Sequence, residues 1–173
     1  SGSSDLGLIW RLLEGTGCRL AEITGLLVTD VRSSHPIPHL LIQPHPHRRL
    51  KTKGSQRVVP LVGDALSAAR EALANRNDPD GPLFPKYALN RGNDRASAAL
   101  MKHVRRAVID RQVTVHSLRH LMKDRLRLAG VTEGVQDMIL GHSSGRISEV
   151  YGGPEARLKL AKQGLERALE VEL

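Results

Sequence analysis

Seven side chains could do chemistry together in this chain. They are Arg19 in TGCRLAE, Lys51 and Lys53, His116 and Arg119 in HSLRH, His142 in LGHSS, and Tyr151 in SEVYGG. Guanidinium and ammonium groups can surround one phosphate. Imidazoles can move a proton, and a phenol can attack phosphorus. The chain holds only two tyrosines, Tyr87 and Tyr151, so the choice of nucleophile is narrow. A free phenol has a pKa of about 10 and is a weak nucleophile at neutral pH. Cations must therefore lower the cost of the phenolate, and a base must take its proton.

Each motif also has an ordinary reading. On a helix, His116, Arg119 and His120 fall at i, i+3 and i+4 and share a face, which Lys123 and Arg127 extend. Leu118, Met122, Leu126 and Ala129 supply a separate packing stripe. The ordinary alternative is a solvated basic face. Arg19 follows a Gly-containing turn and opens a helix, where free N–H groups already favour an anion. Glu22, one turn on, could brace that guanidinium, or the pair could be a plain surface ion pair. Cys18 beside it reads as a small core residue. His142 follows a helix stop, and Tyr151 comes nine residues later.

Composition bounds the partners. With 26 Lys+Arg against 18 Asp+Glu, the formal charge is +8 and the pI about 10.2. That balance suits a polyanion, because cations on a protein displace condensed counterions from a nucleic acid. One Trp, one Phe and two Tyr leave the core to Leu, Val, Ile and Ala, and make base stacking an unsuitable binding mode. A single cysteine rules out an internal disulfide and fits a reducing compartment. No apolar run approaches the roughly 20 residues that span a bilayer, so no membrane partner is expected. At 173 residues the chain suits one compact domain over 5–173. Ser1-Gly2-Ser3-Ser4 has the composition of a cloning scar and is set outside the fold.

The elements that must position these residues are an α+β set, mainly helical with a small antiparallel three-stranded sheet. Periodicity predicts a helix over 5–14 capped by Asp5, a short one over 20–25, and strands over 26–31, 37–43 and 56–61. PHPHRRLKTKGS forms a cationic hairpin between the last two strands. Helices follow over 64–75, 96–109, 116–128, 132–140 and 155–169, with Asp64 and Thr132 as caps and Gly141 as a stop.

TGCRLAE, the lysine-bearing hairpin ending in RVVPL, HSLRH, LGHSS and the tyrosine nine positions on resemble, in that order, the tyrosine recombinase (phage integrase) family. The resemblance runs from about Asp5 to the C-terminal helix. It implies the catalytic domain of a DNA strand-exchange enzyme, without the family's N-terminal DNA-clamping domain. It also implies a covalent 3′-phosphotyrosine, with no metal, cofactor or ATP, in the cytoplasm of a bacterium or from a phage or other mobile element. By position, Arg19 and Arg119 match the arginines that hold the phosphate, and His116 and His142 the two assisting histidines. Tyr151 matches the nucleophile and Lys51 the hairpin lysine, with Lys53 as its alternate. LMKDRL after HSLRH, and Ser148, Glu149 and Val150 before the tyrosine, depart from the usual pattern. The resemblance also implies a tetramer on double-stranded DNA, with the isolated chain a monomer and the C-terminal helix able to dock on a neighbour.

Three other readings stand beside it. One is a DNA-binding relative without activity, and another is DNA relaxation of the type IB topoisomerase kind. The third is a metal site at His35, His39, His45 and His47, which crowd the hairpin region but have no acidic residue close in sequence. Arg48, Arg49, Lys53 and Lys123 are candidate DNA-backbone contacts.

Overall fold

The computed structural model describes residues 2–142 and 151–173. Helix α1 (Asp5–Thr16) lies at the centre, with Leu8, Ile9, Leu12 and Leu13 buried. Its N-cap is Ser4, whose hydroxyl accepts from the Gly7 N–H at 3.1 Å, and not Asp5, which sits in the first turn. Ser3 also takes part, donating its N–H to Glu71 at 2.5 Å. Two residues assigned to a scar thus serve the helix start. Gly17, at φ 71°, ends α1 and returns its N–H to Leu13.

Helix α2 (Leu20–Thr24) follows at once. The expected first strand is cut to β1 (Val31–Arg32), because the Asp30 carboxylate accepts from the Leu27 N–H at 2.8 Å and curls 28–30 into a 3₁₀ turn. Local capping here overrides the β-branched composition. Strands β2 (His39–Ile42) and β3 (Arg57–Pro60) complete an antiparallel sheet in the order β1-β2-β3. Leu40 pairs with Val31 on one side and Val59 on the other. The β2–β3 connection is no simple hairpin. It holds a tight turn closed between His45 and Arg48, then a 3₁₀ turn at Lys53–Ser55.

Helix α3 (Gly63–Ala74) buries Ala65, Ala68, Ala69 and Ala72. It packs on α1 so closely that a Cβ on Gly15 would come within 2.6 Å of the Ala65 methyl. Asp64 does not cap α3. Its two oxygens accept from the Arg11 fork at 2.9 and 2.8 Å, tying α3 to α1. Helices α4 (Gly92–Ala107), α5 (Ser117–Leu128) and α6 (Glu133–Leu140) follow. Thr132 caps α6, and Gly141, at φ 78°, stops it. The last helix, α7 (Pro154–Leu169), lays Leu158, Ala161, Leu165 and Ala168 against α5, α6 and β3 of its own chain. In this chain α7 thus caps its own domain. Among the described residues, no helix is long and apolar enough to cross a membrane.

Candidate active site

Three separate stretches of chain meet at the Arg119 guanidinium. Arg119 stands in the first turn of α5 and is only 6% exposed. Its Nη1 donates to the Gly17 carbonyl at 2.9 Å and its Nη2 to the Leu140 carbonyl at 2.5 Å. The same Nη2 lies 3.3 Å from His142 Nε2. The two carbonyls are free because α1 ends at Gly17 and α6 ends at Gly141, and helix ends leave acceptors without helical partners. Sequence periodicity puts Arg119 on one cationic face with His116, with a solvated face as the ordinary alternative. In the structure Arg119 turns inward, while His116 and His120 remain exposed.

Arg19 precedes α2, and its own N–H donates to Glu22 Oε1 at 2.8 Å. Its Nη1 reaches Ser55 Oγ at 3.4 Å and approaches Glu22 Oε2 only to 3.6 Å. The carboxylate expected to brace Arg19 does so through the Arg19 N–H and a long ion pair, but its shorter side-chain bonds go elsewhere. Arg57 grips it with a two-pronged fork, Nη1 to Oε2 at 2.6 Å and Nη2 to Oε1 at 3.0 Å. Burial pushes the Glu22 carboxyl upward, but the Arg57 fork, with help from Arg19, overrides it and holds the group below its usual range. Arg57 escaped the sequence reading. Its one signal there is a charged residue at the start of an otherwise apolar strand, RVVP.

Arginines 19, 57 and 119 thus share one neighbourhood. Burial, then the fields of Arg19 and Arg57, lower the Arg119 pKa to about 10. Burial is the larger cause, and the like charges that add to it make this neighbourhood one that an anion would relieve. The histidines feel the same field. His116 is held below its ordinary value by burial, then by His120, Arg119, Arg19 and Lys51. His142 is lowered by burial, then by Arg119, Arg19 and Lys123, against an opposing pull from Asp137. Both imidazoles are therefore poised as neutral proton acceptors near pH 7. Lys51 is among the cations acting on His116, whereas Lys53 opens the 3₁₀ turn; both are exposed.

Other candidates lie elsewhere. Arg48 is 8% exposed, and its guanidinium donates to the Glu22 and Gln43 carbonyls at 3.1 and 2.7 Å. It ties the β2–β3 connection to α2, and its burial leaves little of it open to a ligand, unlike the exposed cation expected there. Arg49 beside it is exposed. Lys123 lines a shallow pocket with Asp137 and His142. The hairpin-region histidines engage separate groups: His35 Nδ1 and His39 Nδ1 share the Ile37 carbonyl, His45 Nε2 meets Asp30 at 2.7 Å, and His47 Nε2 the Gly25 carbonyl. An acidic neighbour does exist for His45, contrary to the sequence expectation. Among the described residues, however, no group of three or more His, Cys, Asp or Glu is placed to hold a metal ion.

Tyr87 is buried in the core, at 8% exposure. Tyr151 is half-buried, and its hydroxyl lies 3.2 Å from Thr132 Oγ1. Its ring sits so tightly on Gly134 that any Cβ there would collide with it. Thr132 caps the start of α6, a helix of 8 residues with a rise of about 12 Å, and Leu140, whose carbonyl Arg119 holds, ends it, so the phenol sits toward the opposite end of the helix. The structure thus brings Arg19, His116, Arg119 and His142 together and leaves Tyr151 apart. Ser148, Glu149 and Val150 lie outside the described residues.

The sequence and fold were compared with known proteins. The phage integrase family model matches residues 3–156. The chain belongs to the phage integrase family. It is 35% identical over 148 residues to the tyrosine recombinase XerD of Corynebacterium glutamicum, covering 82% of this chain and 45% of that protein. It is 25% identical over 167 residues to the tyrosine recombinase XerA of Pyrococcus horikoshii, covering 95% of this chain and 55% of that protein. The chain spans about half the length of these relatives. A solved structure of the Tn1549 transposon integrase with transposon right end DNA shares the fold. Its TM-score is 0.50 at 20% identity, covering 96% of this chain and 60% of that one.

Proposed function

We propose that this chain is the strand-cleaving unit of a site-specific DNA recombinase that works through a covalent phosphotyrosine. The observation that carries the reading is the clustering of like charge: Arg119 lies 3.3 Å from His142, and Arg19 and Arg119 both act on His116 and His142. A phosphodiester of double-stranded DNA binds there, its non-bridging oxygens facing Arg19 and Arg119. Preorganised donors of this kind are worth roughly 3–4 kcal/mol each to a transition state.

The Tyr151 oxygen attacks phosphorus and gives its proton to His116. The bond from phosphorus to the 5′-oxygen breaks as the new bond to the phenol forms. Lys51 protonates the departing 5′-oxygen, and His142 hydrogen-bonds the phosphate. The products are a 3′-phosphotyrosine and a free 5′-hydroxyl. Attack by a second 5′-hydroxyl reverses the step on a new partner, so no external energy source is required. Exchange needs two duplexes cut together, which calls for a tetramer on DNA. Tyr151 must leave Thr132 to react, and Gly152, at φ 84°, with Gly153 gives the backbone freedom to turn.

The test is Arg119→Ala on a nicked suicide duplex. Cleavage should fall by about 10²-fold or more, while DNA affinity falls by less than tenfold. Equal losses in both would reduce Arg119 to a docking residue.

A further inference from the structure

Arg57 has no donor left for a ligand. Its Nε donates to the Ile139 carbonyl at 2.8 Å, its Nη1 to Glu22 and to the Ser55 carbonyl at 2.7 Å, and its Nη2 to Glu22 and the Cys18 sulfur at 3.7 Å. All five N–H groups of the guanidinium are thus engaged. A Cβ on Gly141 would come within 2.8 Å of Arg57 Nη1, so the α6 stop is built around this side chain. The three main-chain and carboxylate anchors belong to the segments that carry Arg19, Lys51 and His142.

The decisive contact is with Glu22, which is 2% exposed. Its two oxygens could serve either Arg19 or Arg57. Arg57 takes both, at 2.6 and 3.0 Å, and Arg19 stands off at 3.6 Å. Opposite charges attract strongly in a poorly solvated site. Without Arg57, the described cation left at ion-pair distance from the carboxylate is Arg19, at 3.6 Å.

We propose that Arg57 is a positioning residue that occupies the Glu22 carboxylate and so keeps the Arg19 guanidinium free for the scissile phosphate, an inference that rests on the function proposed above. Arg57 touches neither DNA nor the reacting atoms. It acts through Arg19, and this distinguishes it from a residue that only stabilises the fold.

A double-mutant cycle separates the two roles. Single-turnover cleavage of a nicked suicide duplex at saturating DNA is measured for Arg57→Met in the unsubstituted chain and in an Arg19→Ala background. The proposal expects a loss of tenfold or more in the first and of less than threefold in the second. A smaller loss in the unsubstituted chain would overturn it. So would a further loss of threefold or more in the Arg19→Ala background. Should Arg57→Met not fold, Arg57→Lys is read in the same two backgrounds, because one ammonium cannot grip both Glu22 oxygens. If the unsubstituted chain forms no adduct at all, the proposed function fails, and the Arg57–Glu22 geometry does not bear on that failure.

Discussion

Tyr151 and Thr132 meet hydroxyl to hydroxyl, 3.2 Å apart, at the opposite end of α6 from the Leu140 carbonyl that Arg119 grips. The proposed nucleophile and the phosphate pocket are thus separated by the length of one short helix. Gly134 is the seat of the Tyr151 ring, and only a residue without a side chain fits beneath it.

Gly134→Ala should therefore unseat Tyr151. Alanine is also the better helix former by about 1 kcal/mol, so α6 itself should not suffer. The expected result is a several-fold rise in the single-turnover rate of adduct formation on a suicide duplex, with unchanged DNA affinity. A rate unchanged within error would show that leaving Gly134 does not limit the reaction.

His116 and His142 titrate below their ordinary values, and this fixes the sign of the acid response. As pH falls through about 6.5, the unfolded chain binds protons that the folded chain still refuses. Their contribution to stability is thus present above that pH and lost below it, down to the folded values. The neutral imidazole of His116 should likewise persist to lower pH than a free one. The acid limb of kcat/KM for cleavage should lie below about 6.5. Histidine NMR titration of the free protein would check the assignment, and an acid limb above pH 7 would contradict it.

Arg48 and Arg49 are neighbours with opposite fates. Arg49→Ala, at an exposed cation, should shallow the salt dependence of DNA binding by about one counterion if that side chain meets the backbone. Arg48→Ala should instead lower thermal stability, because it removes a buried guanidinium from the Glu22 and Gln43 carbonyls. Loss of those bonds should cost about 2 kcal/mol or more. Urea unfolding of the two variants beside salt titrations of DNA binding separates the effects.

The fold was legible where local signals carry it. The Thr132 cap, the Gly141 stop and the short apolar runs of β2 and β3 need only near neighbours in sequence. The first strand was misread because one carboxylate, Asp30, captured the Leu27 N–H and bent the chain. Within the site, the residue types at Arg19, His116, Arg119 and His142 were readable, but not which way they face. Helical periodicity puts Arg119 on one cationic face with His116. Its burial depends on the Gly17 and Leu140 carbonyls, 102 and 21 residues away in sequence. Arg57 was hidden for the same reason, since its meaning lies in the choice Glu22 makes between two arginines. Arg48 and Arg49 are the same letter twice, and only the packed turn between His45 and Arg48 separates them.

In the proposed reaction one phenol becomes esterified to DNA. The direct measurement traps the protein on a suicide duplex, digests the complex with protease, and locates the nucleotide-bearing peptide by mass spectrometry. The account predicts a single modified peptide containing Tyr151, and no adduct in Tyr151→Phe. A nucleotide on any other residue, or an adduct that survives Tyr151→Phe, would contradict it.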